Sequence, residues 1–291
     1  MKVNCRISVL WAVLAATLYA AGSPFSKFLL QYIPPAAMAA FLYLGAGIGM
    51  GIVGIVKSRY RTNSMAQNLT REEMPYIIGM VLLDIAAPIF FMIGLNRTTA
   101  ANASLLNNFE IAATTFIALL IFKETISRKL WVSVGLITVA SMILSFEDLS
   151  SLSFSTGSLF VLLACTCWGF ENNCTKMLSN KSPLQIVIIK GLGSGLGSLI
   201  IAFFLGEKVT GIIYIIGALT LGFISYGLSI FFYVYAQRGL GAAKTSAYYA
   251  IAPFLGVVLS FILFKEPFTL SFLISLLIMI VGTCFATYDT N

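Results

Sequence analysis

The sequence predicts an all-α integral membrane protein of ten transmembrane helices, laid out as two inverted five-helix repeats. Three observations predict it. The 291 residues are 59% hydrophobic and 10% charged, with a mean hydropathy of +0.94, whereas a soluble domain is about 45–50% apolar and ~25% charged. The apolar residues fall in unbroken runs of about 20, the length a helix needs to cross a ~30 Å hydrocarbon core. Motifs of the first half recur in the second. The first observation excludes a soluble globular enzyme, a disordered chain and a collagen-like one, because no single core could bury so much apolar surface.

Pro, Gly and charged residues bound ten runs, at about 7–30, 34–56, 75–95, 99–122, 129–146, 157–178, 184–205, 211–236, 244–264 and 268–287. A β-barrel would instead show alternating segments of ~10 residues. Connections are short except for Lys57–Met74, which leaves no room for a soluble domain. The first run is too long for the apolar part of a secretory signal and is needed for the repeat, so it reads as helix one. Cys5, Cys165, Cys167, Cys174 and Cys284 form no CxxC, and the chain has no histidine. They read as small apolar side chains within helices, with no metal or other cofactor expected.

The net charge of +7 comes from basic residues scattered singly between apolar runs, with no stripe that would point to nucleic acid. With the N-terminus inside, thirteen Lys and Arg fall on the cytoplasmic side. Four (Lys27, Arg97, Lys208 and Lys265) fall opposite, and Lys190 lies within a helix. The positive-inside rule therefore places both termini in the cytoplasm of a multi-pass cell-membrane protein.

Ala15-Ala16-Thr17-Leu18-Tyr19 overlays Ala164-Cys165-Thr166-Cys167-Trp168, Ser26-Lys27 overlays Thr175-Lys176, and Pro34 overlays Pro183. The glycines of 45–51 overlay those of 191–197, and Phe122-Lys123-Glu124 overlays Phe264-Lys265-Glu266. The units are expected at 1–150 and 151–291. Five helices is an odd number, so the second unit enters upside down, the arrangement of alternating-access carriers with a site between the halves. Gly49-Met50-Gly51-Ile52-Val53-Gly54 matches GxGxxG but lies inside a span, where it reads as close helix packing, as do the pairs Gly47/Gly51, Gly191/Gly195 and Gly193/Gly197.

Ten helices in two repeats, each with a Glu closing its fourth helix (Glu124, Glu266), resemble the EamA family of the drug/metabolite transporter superfamily. The stretch from Ala242 through Tyr248, Tyr249 and Pro253 to Phe264-Lys265-Glu266 is similar to that family's ninth helix. The resemblance covers essentially the whole chain and implies export or exchange of small metabolites through a central cavity lined by helices 1, 3, 4, 6, 8 and 9. One departure is that Ile111 stands at the repeat equivalent of Pro253, so the fourth helix is expected to lack the ninth helix's proline kink.

Four charges lie inside spans, where each costs ~2.5–3.5 kcal/mol on insertion scales. Asp84 and Glu110 sit ~14 Å and ~16 Å from the starts of their helices, while Glu171 and Lys190 share a depth of ~9–10 Å and are expected to pair. None is mirrored: Glu110 aligns with Ala252, Glu171 with Gly22, Lys190 with Leu44 and Asp84 approximately with Gly222. Structure common to both halves would be mirrored, so these charges point to an asymmetric task, substrate binding or a structural ion pair, with Lys190 placed either to neutralise Glu171 or to touch substrate. Pro88, one turn after Asp84, is expected to leave carbonyls free to arrange around it. Asn107 shares a face with Glu110, Asn172 adjoins Glu171, and Tyr248, Tyr226 and Trp168 offer stacking or cation–π surface. Glu124 and Glu266, at helix ends beside Lys123 and Lys265, read as structural.

These residues predict a secondary transporter of a small organic metabolite. Three buried carboxylates against one Lys lean toward a cation or zwitterion such as an amine or amino acid, and a multidrug efflux carrier or a channel is the alternative. There is no Walker motif, HExxH or GxGD, so neither direct ATP drive nor intramembrane proteolysis is expected. Protons are the candidate coupling ion, with facilitated diffusion as the alternative. Without histidine they would have to use a buried carboxylate, and Glu110, with no basic residue within a turn, is the candidate.

Overall fold

The computed structural model describes residues 5–60, 71–123, 125–148, 153–178, 181–240, 245, 248–266 and 268–289. The first span is α1 (Cys5–Ala20) followed by α2 (Gly22–Leu29), the second α3 (Pro35–Tyr60) and the third α4 (Met74–Arg97). The fourth is α5 (Ala100–Leu106) with α6 (Phe109–Leu120), and the fifth α7 (Arg128–Ser145). A two-stranded pairing of β1 (Phe146–Asp148) with β2 (Ser153–Phe154), not expected from sequence, leads to the sixth span, α8 (Thr156–Met177). The seventh is α9 (Pro183–Phe204). The eighth is α10 (Ile212–Gly222), a π-helical segment (Phe223–Leu228) and α11 (Ser229–Leu240). The ninth runs through a turn at 250–251 into α12 (Ala252–Phe264), and α13 (Leu270–Asp289) is the tenth.

Helix starts follow from their caps. Thr99, Ser127 and Ser155 each accept a hydrogen bond from the backbone N–H three residues on, which satisfies one of the four orphan donors of a helix start. Among the described residues, eight helical stretches are long and apolar enough to cross a membrane. Two expected spans fall outside that set for visible reasons. Helix α8 carries Glu171, Asn172, Asn173 and Lys176, and α12 covers only 13 residues of the ninth span. Leu10, Phe203, Phe204 and Leu270 point outward, and such a belt of apolar side chains needs lipid around it.

The packing follows the repeat. Helix α4 lies on α8 just as α1 lies on α11, and the second and seventh spans pack on each other, as do the fifth and tenth. Where α3 crosses α9, a Cβ on Gly191 would stand 2.4 Å from the Gly47 nitrogen. Close approach through small residues is therefore what this crossing uses. Gly51 is an exception to the expected pairing, since nothing lies within 4 Å of where its Cβ would be.

Besides the ninth, three spans among the described residues are not the continuous helices the apolar runs imply. The first breaks at Ala21, three residues before Pro24, and the eighth widens into its π turn after Gly222. The fourth breaks at Asn107–Asn108 although it lacks the proline of the ninth. There the Asn108 amide donates to the Leu105 carbonyl at 3.0 Å, and the Cys165 thiol lies 3.7 Å from the Leu106 carbonyl. Side chains thus take up the carbonyls that a helix break releases.

An even number of crossings returns both chain ends to one side, the terminal side. On the far side, charged residues tie helix ends together. Glu266 accepts from the N–H groups of Ala100 (2.8 Å) and Ala101 (3.0 Å), and Glu207 from those of Ala36 (3.2 Å) and Ala37 (2.8 Å). Lys27 donates to the carbonyls of Leu95 (2.6 Å), Asn96 (3.1 Å) and Thr98 (2.8 Å) at the end of α4. Carboxylates meet helix N-termini and the ammonium a C-terminus, as the helix dipole favours. Glu124 lies outside the described residues. Lys123 and Lys265, at equivalent places, both adopt left-handed φ, 53° and 50°.

Candidate functional site

A cavity of about 270 Å³ lies between the two repeats. Its wall includes Tyr19, Tyr43, Asp84, Asn107, Glu110, Trp168, Glu171, Asn172, Lys190, Tyr226 and Tyr249. No lining residue comes from α2, α5 or the far-side ends of α4, α9 and α12, while Val187 and Ile230 carry the wall toward the terminal side. The space therefore occupies the membrane middle and the terminal-side half.

Glu110 and its neighbours form one side. The break between α5 and α6 turns Asn107 and Glu110 inward, and α8 supplies Asn172, whose amide donates to Glu110 Oε1 at 2.6 Å and to Thr114 Oγ1 at 3.3 Å. Asn173 donates to the backbone carbonyls of Thr114 and Gly169, fastening α8 to α6 behind the pair. Among the described residues no ammonium or guanidinium forms an ion pair with Glu110.

Four tyrosines and a tryptophan line the remainder. Tyr19 receives the Asn107 amide at 3.2 Å and meets Tyr226 edge-on at 5.9 Å and Tyr249 at 5.6 Å between ring centroids. Tyr43 lies 5.7 Å from Tyr226, and Trp168 packs on Phe91 at 5.4 Å. Tyr249 shares a hydrogen bond with Ser229, which donates to the Ala15 carbonyl and so secures the first span to the eighth.

A further part of the wall is ionic. Lys190 Nζ lies 2.8 Å from Glu171 Oε1 and 3.2 Å from Asp84 Oδ2. Glu171 also accepts from the Thr175 hydroxyl. Asp84 Oδ1 accepts from Tyr43 at 3.2 Å, and the Tyr43 oxygen receives the Trp168 indole N–H at 3.4 Å. The Glu171–Lys190 pair expected from matched depth is therefore joined by a third member. Pro88 lies within a continuous α4, and the partners of Asp84 are Tyr43 and Lys190 instead of loosened carbonyls.

Of the residues expected at a site, Asp84, Asn107, Glu110, Trp168, Glu171, Asn172, Lys190 and Tyr226 share this wall. Tyr248 does not. It is 39% exposed, and Tyr249, one residue and about 100° further round the helix, takes the inward position. Tyr19 and Tyr43 were not anticipated, and nothing in a sequence with 12 tyrosines marks Tyr43. For Tyr19 one signal existed: it is the repeat equivalent of Trp168. Among the described residues no three His, Cys, Asp or Glu side chains are grouped to hold a metal ion.

Comparison with known proteins adds a family. The EamA-like transporter family matches residues 6–146 and 155–288. An uncharacterized transporter of Methanothermobacter thermautotrophicus is 28% identical over 288 residues, covering 93% of this chain and 83% of the relative. The uncharacterized transporter YyaM of Bacillus subtilis is 22% identical over 250 residues, covering 81% and 79%. A crystal structure with 13% identity superposes with a TM-score of 0.67 over 100% of this chain and 98% of the other, which shows the fold.

Proposed function

The chain belongs to the EamA-like transporter family, and we propose that it moves a small cationic or zwitterionic organic molecule, such as an amine or amino acid, across the cell membrane by alternating access. The observation that carries this reading is the Glu110 carboxylate. It sits on the wall of a membrane-embedded cavity with a neutral amide as its hydrogen-bond partner and tyrosine rings nearby. A carboxylate inside a bilayer is costly unless something compensates it, and an ammonium ligand compensates it while the aromatic faces attract the same charge. The polar set Asn107, Asn172 and Tyr249 supplies donors for a carboxylate or hydroxyl on the other end of a zwitterion.

The excess of Lys and Arg in the terminal-side loops supports cytoplasmic termini. A cavity in that half is then open to cytoplasmic substrate, as export or exchange requires. Protons are the proposed coupling ion.

The test is a thermal-shift screen of the purified protein against amino acids, polyamines, quaternary amines, purines and sugar phosphates. A ligand at about 100 times its Kd adds about 2.7 kcal/mol of stability. Cationic or zwitterionic compounds should raise the melting temperature, and Glu110→Gln should abolish the shift while the protein still folds. A shift confined to phosphorylated or acidic compounds would refute the charge argument.

A further inference from the structure

The ionic side of the cavity is built differently from the Glu110 side, and its charges do not balance. One ammonium stands between two carboxylates that arrive on different helices, Asp84 on α4 and Glu171 on α8. The better-served partner is Glu171, which has Lys190 at 2.8 Å and the Thr175 hydroxyl as well. Asp84 is wholly buried. Tyr43 serves its Oδ1, while Oδ2 has Lys190 Nζ at 3.2 Å, longer than the Glu171 contact and poorly aligned for a hydrogen bond. Fully ionised, the cluster carries one uncompensated negative charge, and the oxygen with the poorest partners belongs to its most buried member.

Two kinds of cation could make up the balance. A metal ion needs several oxygens around a common point, and here Nζ already fills the space between the carboxylates. Among the described residues no metal-holding group exists. A proton needs no space and supplies Oδ2 with a hydrogen atom.

We propose that Asp84 is the proton-binding site of this carrier and that Lys190 registers its state. With the proton on Asp84, Lys190 pairs with Glu171 alone. With Asp84 ionised, the ammonium is shared between α4 and α8. Loading forms one O–H bond at Oδ2 with a proton taken from water, and release on the other side of the membrane breaks it. The inference rests on the transporter reading and divides its labour: Glu110 meets substrate and Asp84 meets the coupling ion.

The groups that face Asp84 are Tyr43 from α3, Glu171 and Trp168 from α8, Lys190 from α9 and Tyr226 from the π segment. Glu110 and Tyr19 stand elsewhere on the same cavity wall. Cys174 of α8 lies against Gly79, about a turn and a half along α4. At the ends of α4, Lys27 ties its far-side carbonyls, and Glu73 pairs with Lys181 on the terminal side.

Infrared difference spectroscopy of the purified protein across a pH step reads protonated carboxylic acid directly and needs no knowledge of substrate. The wild type should show a carboxylic C=O band at neutral pH that disappears in Asp84→Asn and remains in Glu110→Gln. Asparagine keeps an acceptor for Tyr43, so the variant is expected to fold. Lys190→Met serves as the second variant: it leaves two carboxylates without a counter-charge, and the band should grow about twofold as both take protons. A band missing from the wild type, kept in Asp84→Asn, lost in Glu110→Gln or unchanged in Lys190→Met would overturn the proposal. A band that behaves as expected alongside a failed ligand screen would leave the proton site standing and remove only the substrate class.

Discussion

The third and sixth spans, α4 on α8, and their repeat counterparts, the eighth and first, occupy equivalent places and are made differently. Helices α4 and α8 are continuous and are joined by charge, through Asp84, Glu171 and the intervening Lys190. At the aligned positions of the other pair stand glycines, Gly222 and Gly22. At those glycines the eighth span passes into its π segment and the first divides into α1 and α2. Where one repeat places a carboxylate, the other places a joint. The difference teaches that the asymmetry of this carrier is a division between a stiff, ionically fastened pair and a jointed, aromatic pair that supplies Tyr19 and Tyr226. Helix breaks with locally rearranged backbone are the places where bilayer-embedded helices bend.

The sharpest way to break the comparison is to remove the fastener. Lys190→Met takes the counter-charge from Glu171 and leaves both buried acids without their ammonium partner, and should destabilise by about 3–5 kcal/mol, measured by thermal unfolding in detergent. The triple variant Lys190→Met/Asp84→Asn/Glu171→Gln should recover most of that loss. Equal destabilisation in single and triple variants would show that charge is not what joins α4 to α8. Next in size is the joint of the eighth span. A Cβ at Gly222 would fall 2.0 Å from the Leu42 carbonyl oxygen, so Gly222→Ala should cost about 1–3 kcal/mol through overpacking. A third, smaller effect tests a mirrored feature. Glu266→Ala leaves two N-terminal donors of α5 bare and should cost ~1 kcal/mol, with the loss shrinking in high salt. The smallest effect sharpens the comparison most. At Gly22 a Cβ would meet only Ser225 and Tyr226 at 3.6–3.9 Å, so Gly22→Ala should leave stability within about 0.5 kcal/mol. If the joint moves during transport, flux in proteoliposomes should nevertheless fall.

Much of this architecture was legible because lipid imposes it. Spans follow from run length, the repeat from recurring short motifs, and the Glu171–Lys190 contact from two charges at one depth on consecutive helices. The third member of that cluster was not legible. Asp84 reaches Lys190 through the packing of α4 against α8 and α9, a contact over more than a hundred residues that no local pattern encodes. The break at Asn107–Asn108 was missed because proline was the expected signal and an asparagine amide does the equivalent work. Tyr248 and Tyr249 could not be told apart, since a turn at 250–251 resets the helical phase. Nothing in the sequence marks Glu207, because only the fold brings the start of α3 beside it.

The far-side ties have a consequence for how the carrier answers its surroundings. Glu207, Glu266 and Lys27 grip backbone N–H and C=O groups, so among substitutions on the gripped helices only proline, which lacks an N–H, removes a partner. Dissolved ions can loosen the ties, because each tie is an attraction between a full charge and the partial charge of a helix end, and such attractions weaken as the Debye length shrinks. The ionic strength of the medium bathing that face becomes a thermodynamic handle on the resting equilibrium. Raising it on that side alone should favour opening there, with every residue of the cavity left untouched.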